Sequence, residues 1–287
     1  IKKKSILEEK DLHSFLWLNL IDRKHDGKIL QKIIRIWMMK HSNYKRNIWD
    51  SSILSQRIIS WILNVDIILN NGSFDFRRSF FSSIISQANH LKKKIKFEKN
   101  YSKRMQVLTA LMLTGLVFKE YSENYNIAIK EMSNLVKDFF DEDGFPLTRN
   151  PSDLIFFSKY LILSKECIKD AQEYVPEFLD DIITLNLICL KNIATPSNQV
   201  PLFNGSSEEN LHQFNKPIDE LNVKPKDKKN IIGGIQKFKF RDTSVYFDVG
   251  ESPKKSFSNS YQSGPLSFEY YLGKEKIITN CGFGCNI

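Results

Sequence analysis

Cysteine is scarce in this 287-residue chain: Cys167, Cys189, Cys281 and Cys285 are too few for a disulfide framework at this length. Cys281-Gly282-Phe283-Gly284-Cys285 has the spacing of half a metal site, but no second pair follows and the five histidines are scattered. Neither a metal nor a cofactor is therefore expected. Long apolar runs are missing as well. No stretch approaches the ~18–20 residues needed to span a bilayer, and Ile1-Lys2-Lys3-Lys4 is not followed by an apolar signal core. No helical segment matches another closely enough to be a sequence repeat. The chain starts without methionine and stops just after a strand-like segment, which reads as a piece of a longer protein.

What is present favours a packed interior. Hydrophobic residues make up 41% of the chain, ample for a core, and a length of 287 residues suggests two units. Lys and Arg total 42 against 33 acidic residues, and the resulting net charge of +9 favours an anionic partner. No nucleic-acid-binding motif accompanies that charge, so nucleic acid is not the expected partner. The basic runs Lys92-Lys93-Lys94 and Lys224–Lys229 read as solvated faces.

Helical periodicity dominates the first two thirds. Ile29, Ile33, Ile36 and Trp37 recur at helical spacing. From Asp50 or Ser51, either able to cap, Leu54, Ile58, Trp61, Ile62 and Val65 mark a second helix. Asn70-Asn71-Gly72-Ser73 breaks the pattern before Phe74, Arg77, Phe81, Ile84, Ile85 and Ala88 resume it. Leu108–Leu116, Ile127–Phe139, Leu154–Ile168 and Phe178–Ile188 continue the series. Short polar turns with no strand between them imply antiparallel neighbours and an all-helical first domain, residues 1–195.

Residues 196–230 are rich in Pro, Asn, Ser, Lys and Glu and read as a linker or long loop. From 231 to 287 the period becomes two. Phe238 and Phe240 alternate with lysines, Val245, Phe247 and Val249 with Tyr246 and Asp248, and Leu266, Phe268, Tyr270 and Leu272 form a third run. These are antiparallel strands with one buried face, too few to close a sheet.

One turn interrupts the helical series with polar groups. In Asp143–Pro151, Gly144 permits a positive φ, Pro146 forbids helix continuation, and Pro151 stands at a helix-starting position before Ser152–Leu163. A guanidinium fork at Arg149 suits a carboxylate of a substrate, and suits equally a clamp to Asp141 or Glu142.

Several segments together resemble the heparinase II/III family. They are Arg57-Ile58-Ile59-Ser60-Trp61, Gln87 with His90-Leu91, Ala110–Leu116, Asp143-Gly144 with Arg149-Asn150-Pro151, Pro201–Gly205, and Leu266–Glu269 with Asn280-Cys281-Gly282. The resemblance spans roughly residues 49–282 and rests on the order and spacing of these motifs. It implies an incomplete (α/α) toroid followed by the start of an antiparallel β-sandwich. The implied chemistry is β-elimination on an acidic, uronate-containing glycan, with the carboxylate neutralised and the neighbouring proton removed by a base. A periplasmic location is the family's implication.

Laid on the family's pattern, Asp153 stands where lyases carry a tyrosine, Asn100-Tyr101 near their Asn-His pair, and Gln262 where a histidine is common. The resulting candidate catalytic residues are Arg149, Asn150, Tyr101 and His90. Arg57, Trp61, Asn204 and Gln262 are candidate substrate-binding residues, although Trp61 also lies on an apolar stripe and Asn204-Gly205 also suits a plain turn. Two other functions fit the same residues: a non-catalytic glycan-binding relative, and a glycoside hydrolase using Glu142 or Asp143 with Asp153.

Overall fold

The computed structural model describes residues 10–22, 27–45, 47–221, 231–259, 261, 264 and 266–281. The chain divides into two compact units, Ile1–Met132 and Ser133–Ile287.

The first unit is helical. Its helices are α1 (Gly27–His41), α2 (Ser51–Leu63), α3 (Val65–Leu69), α4 (Phe74–Lys94) and α5 (Tyr101–Val117), with α6 (Glu123–Phe139) crossing the division. Polar caps set the starts. Asp50 accepts from Ser52 N, Ser73 from Phe76 N and Asn100 from Lys103 N, each satisfying an otherwise orphaned helix donor. The core is built on α2 and α5, whose middle stretches are buried almost all round. Gly115 lets α5 approach the start of α6, since a Cβ there would overlap the backbone of Tyr125.

In two helices the expected apolar stripe is buried only in part: Trp37, Ile84 and Ala88 are inside, and other members are not. In α1 the buried residues are Gly27, Leu30, Ile34 and Trp37, while Ile29, Ile33 and Ile36 are exposed. In α4 the buried face is Phe76, Phe80, Ile84, Gln87, Ala88 and Leu91, with Phe74 outside. Both helices carry two apolar stripes, and periodicity cannot say which one meets the core.

The second unit packs two helices and a sheet. Helices α7 (Pro151–Asp170) and α8 (Glu177–Ile193) lie against each other. A short α9 (Asn215–Asp219) precedes a five-stranded antiparallel sheet: β1 (Ile231–Ile232), β2 (Ile235–Phe240), β3 (Thr243–Asp248), β4 (Phe268–Leu272) and β5 (Glu275–Ile278), in sequential order. The register pairs Phe238 with Val245, Phe247 with Phe268 and Val245 with Tyr270.

Which face of the sheet is covered was not expected. The covered face carries Ser244, Tyr246, Asp248, Glu269 and Tyr271, all buried. The opposite face holds the phenylalanine-rich alternation, with Phe238, Phe240, Phe268, Leu272 and Ile278 exposed. The polar face is tolerated inside because its groups are satisfied. Tyr246 Oη donates to Ala194 O at 2.6 Å, and Lys237 Nζ donates to the same carbonyl at 2.8 Å and to Asn192 O at 3.3 Å. Glu269 accepts from Leu202 N, Tyr271 Oη and Lys276 Nζ. These bonds seat the segment after α8 on the sheet.

Candidate functional site

The turn after α6 is closed by its own backbone before anything else touches it. Phe140 bridges Pro146, Leu147 N donates to Phe139 O at 2.8 Å, and Asp141 Oδ1 accepts from the N–H groups of Asp143 and Phe145. Gly144 takes φ +80° and packs so closely on Leu185 that a Cβ would lie 2.5 Å from that side chain. Phe145, fully buried, anchors the turn to the unit's interior.

Arg149 lies at φ +57°, the left-handed region, with its N–H donating to Pro146 O at 2.8 Å. Its guanidinium is engaged by the sheet. Nε donates to Gly233 O at 3.1 Å, Nη1 to Glu251 O at 2.6 Å, and Nη2 to Gly234 O at 3.4 Å and to the carboxylate of Asp248. Asp248 is 1% exposed, so this is a buried ion pair. Of the five guanidinium N–H groups four are committed among the described residues, and one on Nη1 is left there without a partner. The clamp expected to Asp141 or Glu142 is made instead to a residue 99 positions downstream.

Next to it, Asn150 caps α7, its Oδ1 accepting from Ser152 N at 2.8 Å. With the oxygen so used, its amide nitrogen has no partner among the described residues. Asn204 donates through Nδ2 to Arg149 O at 3.1 Å, and its buried Oδ1 has no partner among the described residues. Ser152, Ser206 and Ser207 join hydroxyls at 3.1–3.3 Å beside the same helix start. Asp153 accepts from Thr148 Oγ1 at 2.7 Å, and burial holds its carboxyl above the usual carboxylate range. Three of the expected site residues, Arg149, Asn150 and Asn204, thus meet at one turn.

An open cavity of about 390 Å³ adjoins that turn, lined by Asp141, Asp143, Arg149, Glu251, Lys254 and Phe257 among others. Asp141, Asp143, Glu251 and Lys254 place charges of both signs around it, and Arg149 is paired with Asp248.

The remaining expected residues lie in the first unit. Arg57 is fully buried, bonded to Gln87 Oε1 at 2.6 Å and to the carbonyls of His13 and Ile48, with its guanidinium 4.3 Å from the centroid of the Trp37 ring. Burial pushes that guanidinium down to about 9. Trp61 is fully buried against Phe15, Trp37 and Phe80, which makes it a core residue with no face for a sugar. His90 is half-buried against Tyr44 and Trp49; burial first, and then Lys94 and Lys93, hold it below its ordinary value, so it is neutral at physiological pH. Tyr101 opens α5, directly after the capping Asn100. Gln262 and Cys285 lie outside the described residues. Among the described residues no group of three His, Cys, Asp or Glu side chains could hold a metal, and no helix is long and apolar enough to cross a membrane.

The burial of Asp248 and Glu269 and the part played by the glycines at 233, 234 and 250 are not evident from the sequence. Asp248 and Glu269 alternate with aromatic residues and look like outward polar positions. The Gly233-Gly234 pair was the available signal of a close approach.

Residues 226–286 match the family model described as "Heparinase II/III-like, C-terminal". A comparison with curated protein sequences finds no match. Among solved structures, heparinase III superposes with a TM-score of 0.71 at 14% identity, covering 88% of this chain and 46% of that one. A mutant of heparan sulfate lyase HepC from Pedobacter heparinus gives 0.72 at 16% identity, covering 95% and 49%. A further heparinase III, with methylated lysines, gives 0.68 at 15%, covering 94% and 46%. The chain therefore spans about half the length of these proteins. The C-terminal segment is thus similar to the heparinase II/III-like family, and the fold of the chain is similar to that of heparinase III.

Proposed function

We propose that the chain is the helical part and first sheet of a polysaccharide lyase acting on an acidic, uronate-containing glycan by β-elimination. The observation that carries this reading is the fold shared over nearly the whole chain with heparinase III and with a heparan sulfate lyase. In this reading residues 1–195 belong to an (α/α) toroid, 196–230 are a linker, and 231–287 begin a β-sandwich. The exposed apolar face of the sheet supports the last point, because such a face needs a second layer to cover it.

β-Elimination needs the substrate carboxylate neutralised, the adjacent proton removed and the leaving oxygen protonated. The free amide nitrogen of Asn150 and the remaining N–H of Arg149 are the donors proposed for the carboxylate. His90, neutral at physiological pH, and Tyr101 are proposed for the proton transfers. Arg57 and Trp61, both buried, support the helical core, and Asn204 and Gln262 are proposed contacts to the sugar. Tyr246 and Tyr271 are excluded as bases: burial and the Glu269 carboxylate drive both phenols further up, so they stay protonated.

A second reading, a glycan-binding protein without turnover, is favoured by one observation. Asp153, at the position of the family's tyrosine, spends its carboxylate on Thr148. Incubation of the full-length protein with a panel of uronate glycans that includes heparan sulfate separates the readings. The lyase reading expects a rise in the ultraviolet absorbance of unsaturated uronate ends. Binding with no such rise across the panel establishes the second reading, and products heavier by one water indicate hydrolysis.

A further inference from the structure

We infer that Asp248, with Gly233, Gly234 and Gly250, forms a seat for Arg149 that positions Asn150, so that Asp248 is a positioning residue for the site proposed above. The inference deepens that reading and rests on it only for the consequence for turnover.

The seat is visible in shape as well as in charge. A Cβ on Gly234 or on Gly250 would overlap the Arg149 guanidinium, and a Cβ on Gly233 would overlap the ring of Phe145. Three glycines flanking β1, β2 and β3 are thus each required by one of two side chains on a single turn. Gly233 and Gly234 also hold positive φ, +56° and +75°, and offer their carbonyls to Nε and Nη2. Asp248 is buried, and its Oδ1 also accepts from Gly250 N at 3.4 Å, which ties the seat's carboxylate to its own glycine. A lysine could fill neither the fork geometry nor the slot.

Both ends of Arg149 are held. The sheet fixes its guanidinium, and Asn204 fixes its carbonyl. That carbonyl belongs to the peptide joining Arg149 to Asn150, so the seat at one end and Asn204 at the other together set the direction in which Asn150 leaves the turn. Asn150 then caps α7 with its oxygen and has its amide nitrogen left over for another partner. With four of its N–H groups used inside the protein, Arg149 acts on substrate mainly through this placement.

The test compares full-length wild type with Asp248→Asn, Gly250→Ala, Arg149→Lys and the double variant Arg149→Lys/Gly250→Ala, with Lys93→Ala as a surface control. Hydrogen exchange of the backbone amides of residues 147–150 is expected to quicken on the order of tenfold or more in each seat variant and not in the control. Gly250→Ala is expected to add little once Arg149 is lysine, because the clash it creates is gone. In the lyase assay, kcat is expected to fall on the order of tenfold or more with KM changed less. Unchanged exchange in Asp248→Asn, or full additivity of the two substitutions, overturns the seat. Faster exchange with an unchanged kcat overturns the positioning role and leaves a structural clamp. Absence of turnover in the wild type is a failure of the lyase reading, and the exchange and additivity results still decide the seat.

Discussion

Arg57 carries a charge into the first unit's interior without a carboxylate to meet it among the described residues. Its compensation is three acceptors, Gln87 Oε1 and two backbone carbonyls, plus the electron-rich face of Trp37. Replacement by methionine relieves the desolvation of the guanidinium but leaves those acceptors buried and unsatisfied. At about 1–3 kcal/mol for each orphaned group, the acceptors outweigh the relief. Arg57→Met should therefore lose about 2–4 kcal/mol in urea unfolding, and undiminished stability would show the three bonds to be worth no more than the burial they offset. Asp153 gives a pH-dependent counterpart. Its folded-state carboxyl is raised by burial, despite the bond from Thr148, so the native state holds a proton that the unfolded chain has already released. Its contribution to stability is largest in acid and is lost as pH rises from the ordinary carboxylate range through the raised value. Asp153→Asn should accordingly gain in melting temperature over wild type as pH rises through that window, and a gap constant with pH would remove Asp153 from the balance.

At the scale of elements, the helices were the legible part and the sheet was legible only in its strands. Caps such as Asp50 and Ser73, the break at Asn70–Ser73, and Pro151 at the start of α7 declare themselves by residue type, because each answers a local backbone need. The phase of α1 and the inner face of the sheet do not. Tyr246 and Glu269 bond Ala194 and Leu202, 52 and 67 residues away, and no short window of sequence contains those partners. The seat of Arg149 was hidden for the same reason. Its ion pair joins a helix-to-helix turn to a strand that reads as ordinary alternation. The sheet's other face makes its own demand: Phe238, Phe240, Phe268, Leu272 and Ile278 form an apolar surface of a kind that rarely stays bare. Residues 1–287 alone should bind a hydrophobic dye or self-associate in sedimentation, and Phe238→Ser with Phe268→Ser should reduce both. A monomeric, dye-silent fragment would contradict the proposed second sheet.

For the molecule as a whole, charge favours an anionic partner without specifying it. The acidic polysaccharide proposed above agrees with the net charge of +9. Overall charge steers an anionic chain toward the surface, and particular donors hold it there. The long reach of Arg149 also sets an order of events. A ribosome releases the turn, then Asn204, and only much later Asp248, 99 residues after the arginine it will receive. Until β2 and β3 pair, the turn has its own hydrogen bonds and the contact of Asn204 with the Arg149 carbonyl, and the guanidinium lacks its acceptors on the sheet. The last groups that Arg149 needs, Asp248 and the carbonyl of Glu251, thus follow it by 99 and 102 residues, so the proposed site is complete only once that segment has been made and has paired.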